Sequence, residues 1–405
     1  MVSRIRTLLL VMLAIGAGLP ARSNAETQGS TGAVFVMTNA ASGNEIIAYK
    51  RNADGSLEPG RRFSTGGRGS GGVTDPLGSQ GSLTLTDDRS FLLAVNAGSG
   101  SISVFRVHGD RLSLLDRVPC GGSEPVAVAQ HGNLVYVVNA GGSSNVIGFR
   151  LDRNGKLRPI TNSIAFLTSA NSGAASLSFS PDGQFLLVTE KLNNRIDAFH
   201  VQLDGTLGPI VVNAGVGPGT FAVVFAPNGA ALVSETGPAG GNNASAISSY
   251  TAGANGTLSP ISASVPTQGA ATCWQAVTPN GRFVYTSNSA TSTISGFAIG
   301  TDGALTPLPG TIAATLPTGS TNLDTAISSD GPKTPKPMTR GRWAQLFLEN
   351  DWLFVFSAGG ETQQQIPPVK SGAFNAVQVL EESAYAGKHK VPGSLWQLGN
   401  SCNCG

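Results

Sequence analysis

Short runs of β-branched and aromatic residues recur along the chain between polar, glycine-containing turns. In Ser178–Phe199, SFSPDGQFLLVTEKLNNRIDAF, the run Phe185-Leu186-Leu187-Val188 lies between a Pro-Asp-Gly turn and a polar loop, and a further apolar run follows. The same text returns at Thr84–Phe105, Ala127–Phe149, Val224–Gly237 and Ala276–Phe297. Alternation within the runs is imperfect, as expected of strands packed on both faces, and no helical apolar period competes with it. The turn glycines Gly132, Gly183, Gly229, Gly281 and Gly331 are 51, 46, 52 and 50 residues apart, a spacing of the propeller kind of repeat. Each unit carries a second turn, at Asp54-Gly55, Asn154-Gly155, Asp204-Gly205, Asn255-Gly256 and Asp302-Gly303, where Asp or Asn with Gly tolerates positive φ. One unit is therefore four strands. Such a sheet cannot bury both faces alone, so its copies must stack, and radial stacking leaves few open edges. The expected fold is all-β, a β-propeller of four-stranded blades.

The count of blades is ambiguous from the text. The second-strand pattern occurs six times, at Val34–Asn39, Phe91–Asn96, Leu134–Asn139, Phe185–Glu190, Ala231–Glu235 and Phe283–Asn288, while the first unit lacks an innermost strand of its own. Asn322–Gly331 either completes that first blade and closes a six-bladed ring, or begins a seventh blade that is aberrant or incomplete. Pro332, Pro335 and Pro337 follow, where prolines cannot donate to a central ladder. Trp343, Trp352 and Trp396 and a set of lysines change the composition there too. The expected organisation is a signal peptide over 1–25, a repeat region over 32–331, and an atypical tail over 332–405. That tail reads as a divergent last blade, echoed in Asn350–Gly360, or as the product of a change of coding frame near Gly331.

Charge narrows the partners. Formal net charge is +2 and 12% of residues are charged, so no basic field exists to neutralise nucleic acid. Arg4 and Arg6 before the apolar run Leu8–Leu19, with Ser23-Asn24-Ala25 after it, read as an export signal, which predicts a periplasmic or secreted protein without a membrane span once the signal is removed. Cys120, Cys273, Cys402 and Cys404 are too few and scattered for a disulfide framework, and with histidines only at 108, 131, 200 and 389 no metal site or cofactor is expected. Oligomeric state is not legible.

The units of the form S-P-D-G-x-F-L-x-V-x-N/E, closed by D-G-x-L, resemble the seven-bladed lactonase family, which includes 6-phosphogluconolactonases and carboxymuconate-cyclising enzymes; the resemblance covers roughly Gly32–Gly331. It implies a site where the loops around the central channel gather, and there Asn39, Asn96, Asn139, Glu190, Glu235 and Asn288 would form a rim. Glu235 and Glu190 break the asparagine pattern in a chain short of charge, which makes them the candidate acid/base pair. Where the family carries G-P-R-H this chain has Gly217-Pro218-Gly219-Thr220; where it carries H-x-H the chain has Gly173-Ala174-Ala175; and Ser289 stands where an Arg is usual. Losing one preorganised oxyanion donor costs about 10²–10³ in rate, so the implied active site is degenerate. Thr220, Trp274, Asp324 and Glu124, where the chain turns into its innermost strands, are the candidate ligand contacts, with Trp274 a stacking floor or a core aromatic. The function expected is a lactonase-like propeller acting on or binding a small lactone or sugar-like ligand outside the cytoplasm; the alternative is a non-catalytic propeller that binds an envelope protein.

Overall fold

The computed structural model describes residues 32–53, 56–71, 77–238, 241, 243–316, 322–327, 345–349, 352–356, 362–366 and 376–381. The segment 1–25 read as an export signal, Asp54-Gly55, Gly331, the three prolines after it, and Cys402 and Cys404 lie outside these residues; Cys120 and Cys273 are buried.

The described strands form seven antiparallel sheets, each running outward from an innermost strand. Blade 2 is Leu83–Leu85, Phe91–Asn96, Ser101–His108 and Arg111–Pro119. Blade 3 is Ser123–His131, Leu134–Gly141, Asn145–Leu151 and Leu157–Pro159, with the short Ala165–Phe166 also on its third strand. Blade 4 is Ala174–Phe179, Phe185–Glu190, Arg195–His200 and Val211–Ala214. Blade 5 is Thr220–Phe225, Ala231–Glu235, Ala246–Ala252 and Leu258–Pro266, and blade 6 is Thr272–Val277, Phe283–Asn288, Thr293–Ile299 and Leu305–Thr315.

The last two sheets resolve the ambiguity in the text. Thr325–Ile327 opens a seventh sheet with Gln345–Glu349, Trp352–Phe356 and Thr362–Ile366. Blade 1 takes its innermost strand from Ala376–Glu381, which pairs along all of Gly32–Met37 and is followed outward by Glu45–Arg51 and Arg61–Ser64. The six-bladed alternative, in which Asn322–Gly331 would have filled that place, is thus not the arrangement seen. The innermost strands touch in cyclic order, blade 7 against blade 1 and blade 1 against blade 2. The pairing of an early strand with a late one leaves Gly32–Met37 buried along its whole length.

The Pro-Asp-Gly turn is held by its own side chains. In blade 4 the Ser180 hydroxyl donates to Asp182 (2.6 Å), the Gln184 N–H donates to the same oxygen (3.1 Å), and Gly183 takes φ +70°. The Ser180 hydroxyl, followed by that N–H, holds the Asp182 carboxyl below the usual range. Second strands such as Phe91–Asn96, Phe185–Glu190 and Phe283–Asn288 are buried at every residue, since each sheet is covered on both faces by its neighbours. No helix among the described residues is long and apolar enough to cross a membrane.

Candidate functional site at the channel mouth

The end of each second strand presents the position occupied by Asn39, Asn96, Asn139, Glu190, Glu235 and Asn288. All six are at most 1% exposed, and their side chains tie loops to strands inside the ring. Asn96 accepts from the Thr65 hydroxyl (2.6 Å) and the Asn44 amide (3.0 Å) of blade 1, and donates to Ser103 (2.8 Å) of its own third strand. Asn139 donates to the Cys120 carbonyl between blades 2 and 3 (3.0 Å).

The two carboxylates occupy the same place. Glu190 accepts from the Thr168 N–H (2.7 Å), the Thr168 hydroxyl and the Asn193 amide (2.7 Å). Glu235 accepts from the Gly217 N–H (3.0 Å), the Ser248 hydroxyl (2.5 Å) and the Ser264 hydroxyl (2.7 Å). Three donors, one of them from the loop arriving from blade 4, fill both oxygens. Gly217 is required by that contact, because a Cβ there would stand 2.1 Å from Glu235 Oε2. Gly217→Ala is therefore expected to destabilise the protein by about 1–3 kcal/mol through overpacking, seen as a lower denaturation midpoint; an unchanged midpoint would show that the Glu235 clamp is slack.

The remaining candidates divide between buried pins and one exposed group. Thr220, fully buried, donates its hydroxyl to the carbonyls of Glu190 (3.2 Å) and Arg195 (3.1 Å), binding blade 5 to blade 4. Trp274 is 2% exposed, edge-on to Phe221 with ring centroids 5.3 Å apart, and its indole N–H donates to the Ser79 carbonyl (2.9 Å). Asp324 accepts from the Thr325 N–H (2.8 Å) and from the Val377 N–H (2.9 Å), so it fastens blade 7 to the closing strand of blade 1. Burial pushes its carboxyl up to about 7 against the pull of those two N–H groups. Glu124 is exposed, with φ +55°, at the start of blade 3's innermost strand. Glu190, Thr220 and Glu235 meet through the blade 4–5 boundary: Thr220 bonds the Glu190 carbonyl and pairs with Glu235 in the ladder.

Three residues not singled out from the text, Ser79, Gln80 and Gln275, complete the mouth together with Lys191. The segment Leu77–Ser82, leading into blade 2, lies across the axis. Ser79 donates its hydroxyl to the Val126 carbonyl of blade 3 (2.9 Å). Gln80 donates its backbone N–H to the Ala175 carbonyl of blade 4 (2.9 Å), and its side chain makes two bonds to the Gln275 backbone of blade 6 (2.7 and 3.0 Å). Gln275 Nε2 donates in turn to the Ala222 and Leu232 carbonyls of blade 5. Lys191 donates to the Gly78 carbonyl (2.9 Å), and its ammonium sits 5.3 Å from the centre of the Phe221 ring. No local pattern announces these contacts, because Gln80 and Gln275 are separated by 195 residues.

Four-stranded sheets stacked in cyclic order about an axis define the β-propeller class. Within it, residues 34–168, about a third of the chain, match the family described as Lactonase, 7-bladed beta-propeller, and the seven sheets agree with that blade number. Among solved structures it is similar to the periplasmic gluconolactonase of Pseudomonas aeruginosa, with a TM-score of 0.64 and 18% identity over 87% of this chain and 99% of that one. A candidate 6-phosphogluconolactonase from Bacteroides uniformis gives 0.63 and 19% over 86% and 99%, and a protein from Lactobacillus plantarum gives 0.61 and 17% over 87% and 100%. At these identities the likeness is one of fold. No curated protein matches the chain.

Proposed function

We propose that this propeller binds a small lactone or sugar-like ligand at the channel mouth, outside the cytoplasm, and does not open it by acid/base chemistry at Glu235 or Glu190. The observation that carries this reading is the state of Glu235: 1% exposed, with both oxygens occupied by donors that hold the blade together. A general base must reach the proton it removes, and this one is spent on the fold. Lys191, at the mouth beside Phe221 and in no ion pair among the described residues, is the cation available to a ligand's carbonyl or carboxylate oxygen.

The test is a panel of uncharged and sugar-derived lactones, read by calorimetry for binding and by pH-stat for hydrolysis. Wild type and Glu235→Gln are expected to hydrolyse at the same background rate, with Lys191→Met weakening binding. A loss of about 100-fold or more in a measurable wild-type rate on Glu235→Gln would restore the enzymatic reading. A second reading, an envelope scaffold that binds protein, is favoured by the exposure of Phe166 (62%) and Leu192 (71%) on blades 3 and 4, and fits a panel in which no lactone binds.

A further inference from the structure

Beneath the mouth lies a carboxylate that the fold leaves without a donor. Asp197 is fully buried on the third strand of blade 4, and neither of its side-chain oxygens meets a hydrogen-bond donor. Its place is defined by repetition. It pairs with Val188 just as Ser103 pairs with Ala94, Ser248 with Val233 and Ser295 with Thr286, two residues before Glu190, Asn96, Glu235 and Asn288 respectively. In those three blades the serine hydroxyl serves the end-of-strand side chain: it accepts from Asn96 (2.8 Å) and from Asn288 (2.8 Å), and donates to Glu235 (2.5 Å). Blade 4 alone among the four sets a carboxyl against a carboxylate.

Two ionised carboxylates offer each other only lone pairs, and burial makes such a contact costly unless one group carries a proton. We propose that Asp197 and Glu190 form a proton-sharing clasp beneath the mouth, and that departure of the shared proton to solvent at alkaline pH releases the loops that Glu190 holds. Those loops are Leu167–Gly173, through the Thr168 N–H and hydroxyl, and Lys191–Asn194, through Asn193. The second carries Lys191 to the Gly78 carbonyl of the segment across the axis. Burial, first, and the neighbouring Glu190 push the Asp197 carboxyl up to about 8, with Arg195 pulling the other way. Few other charges face the pair. Lys191 directs its ammonium to Gly78, and the strands on either side, Ala174–Phe179, Val211–Ala214 and Thr220–Phe225, contain no titratable residue. The effect on ligand affinity rests on the mouth being the binding site; the clasp does not, and it is tested with no ligand present.

The experiment is hydrogen–deuterium exchange of the full chain between pH 6 and 9, corrected for intrinsic rates. In the wild type, protection of the Thr168 amide and of the 191–194 loop is expected to fall about tenfold between pH 7 and 9. Asp197→Ser, which installs the hydroxyl used by the other blades, is expected to hold protection constant over that range. Equal pH dependence in both proteins, or a flat wild type, overturns the clasp. Infrared spectroscopy of Asp324→Asn, which lacks the other raised buried acid, decides independently of whether Asp197→Ser folds: a protonated carboxylic acid band at pH 7 that disappears by pH 9 supports the clasp, and its absence at pH 7 overturns it.

Discussion

Removing residues 376–405 is expected to abolish cooperative unfolding of the whole ring. The deletion takes away the strand that pairs, residue by residue, with Gly32–Met37, and leaves the backbone groups along one edge of a fully buried strand without partners. It also removes the buried side chains of Ala376, Val377 and Leu380, and strips Asp324 of the Val377 N–H. Burying a Val or Leu side chain stabilises by about 1.5–3 kcal/mol each, so the apolar loss alone approaches the few to fifteen kcal/mol or so by which domains are stable. Blades 1 and 7 lose their shared boundary at the same time. A circular-dichroism melt with size-exclusion chromatography reads the outcome, expected as a broad, early transition with aggregation. If the shortened chain melted cooperatively within a few degrees of the full one, the closing strand would carry little of the stability.

Stability is expected to fall by a few kcal/mol as pH rises from about 5 to 8, opposite to the usual behaviour of a protein held by ionised carboxylates. Two buried acids cause it: Asp324, raised to about 7, and Asp197, raised to about 8, both chiefly by burial. A carboxyl whose folded pKa exceeds its unfolded value binds more protons in the folded state. Its contribution is complete below the unfolded value near 4 and is lost as pH climbs through the folded value. The loss through Asp324 is therefore finished near neutrality, while that through Asp197 continues above it. Asp88, Asp152, Asp182 and Asp204 are held below the usual range and act in the other direction, but they are largely exposed turn residues whose influence water screens. Urea midpoints at pH 5, 6.5 and 8 measure the slope, and Asp197→Ser should flatten its alkaline part. A midpoint that rises across this range would mean that neither acid is buried protonated.

The blades were legible because their determinants are local. Asp182-Gly183 and Asp204-Gly205 specify turns within a few residues of themselves, and Phe185–Val188 declares a two-sided strand by composition. Closure was not legible, since Ala376–Glu381 has no flanking repeat text and is chosen by the open edge it meets. Glu190 and Glu235 stood out as departures from asparagine, yet their surroundings were hidden. The hydroxyls that occupy Glu235 come from residues 13 and 29 positions later, on two different strands. Asp197 could have been found by the same comparison that exposed the glutamates, because Ser103 and Ser295 stand seven residues after Asn96 and Asn288 as Asp197 stands seven after Glu190. The segment around Gln80 had no such tell. Its bonds go to backbone carbonyls and N–H groups, which every residue type but proline provides, so position in the ring selects them.

The joining of blade 1 has a temporal side. A polypeptide leaving the ribosome presents Gly32–Met37 early, whereas its match arrives about 340 residues later. Such distant pairing is slow, and through the interval the unclaimed edge is open to the same strand of a neighbouring molecule. Crowded refolding should therefore yield exchanged dimers, in which each copy completes the other's first sheet, while dilution favours the self-sealed monomer.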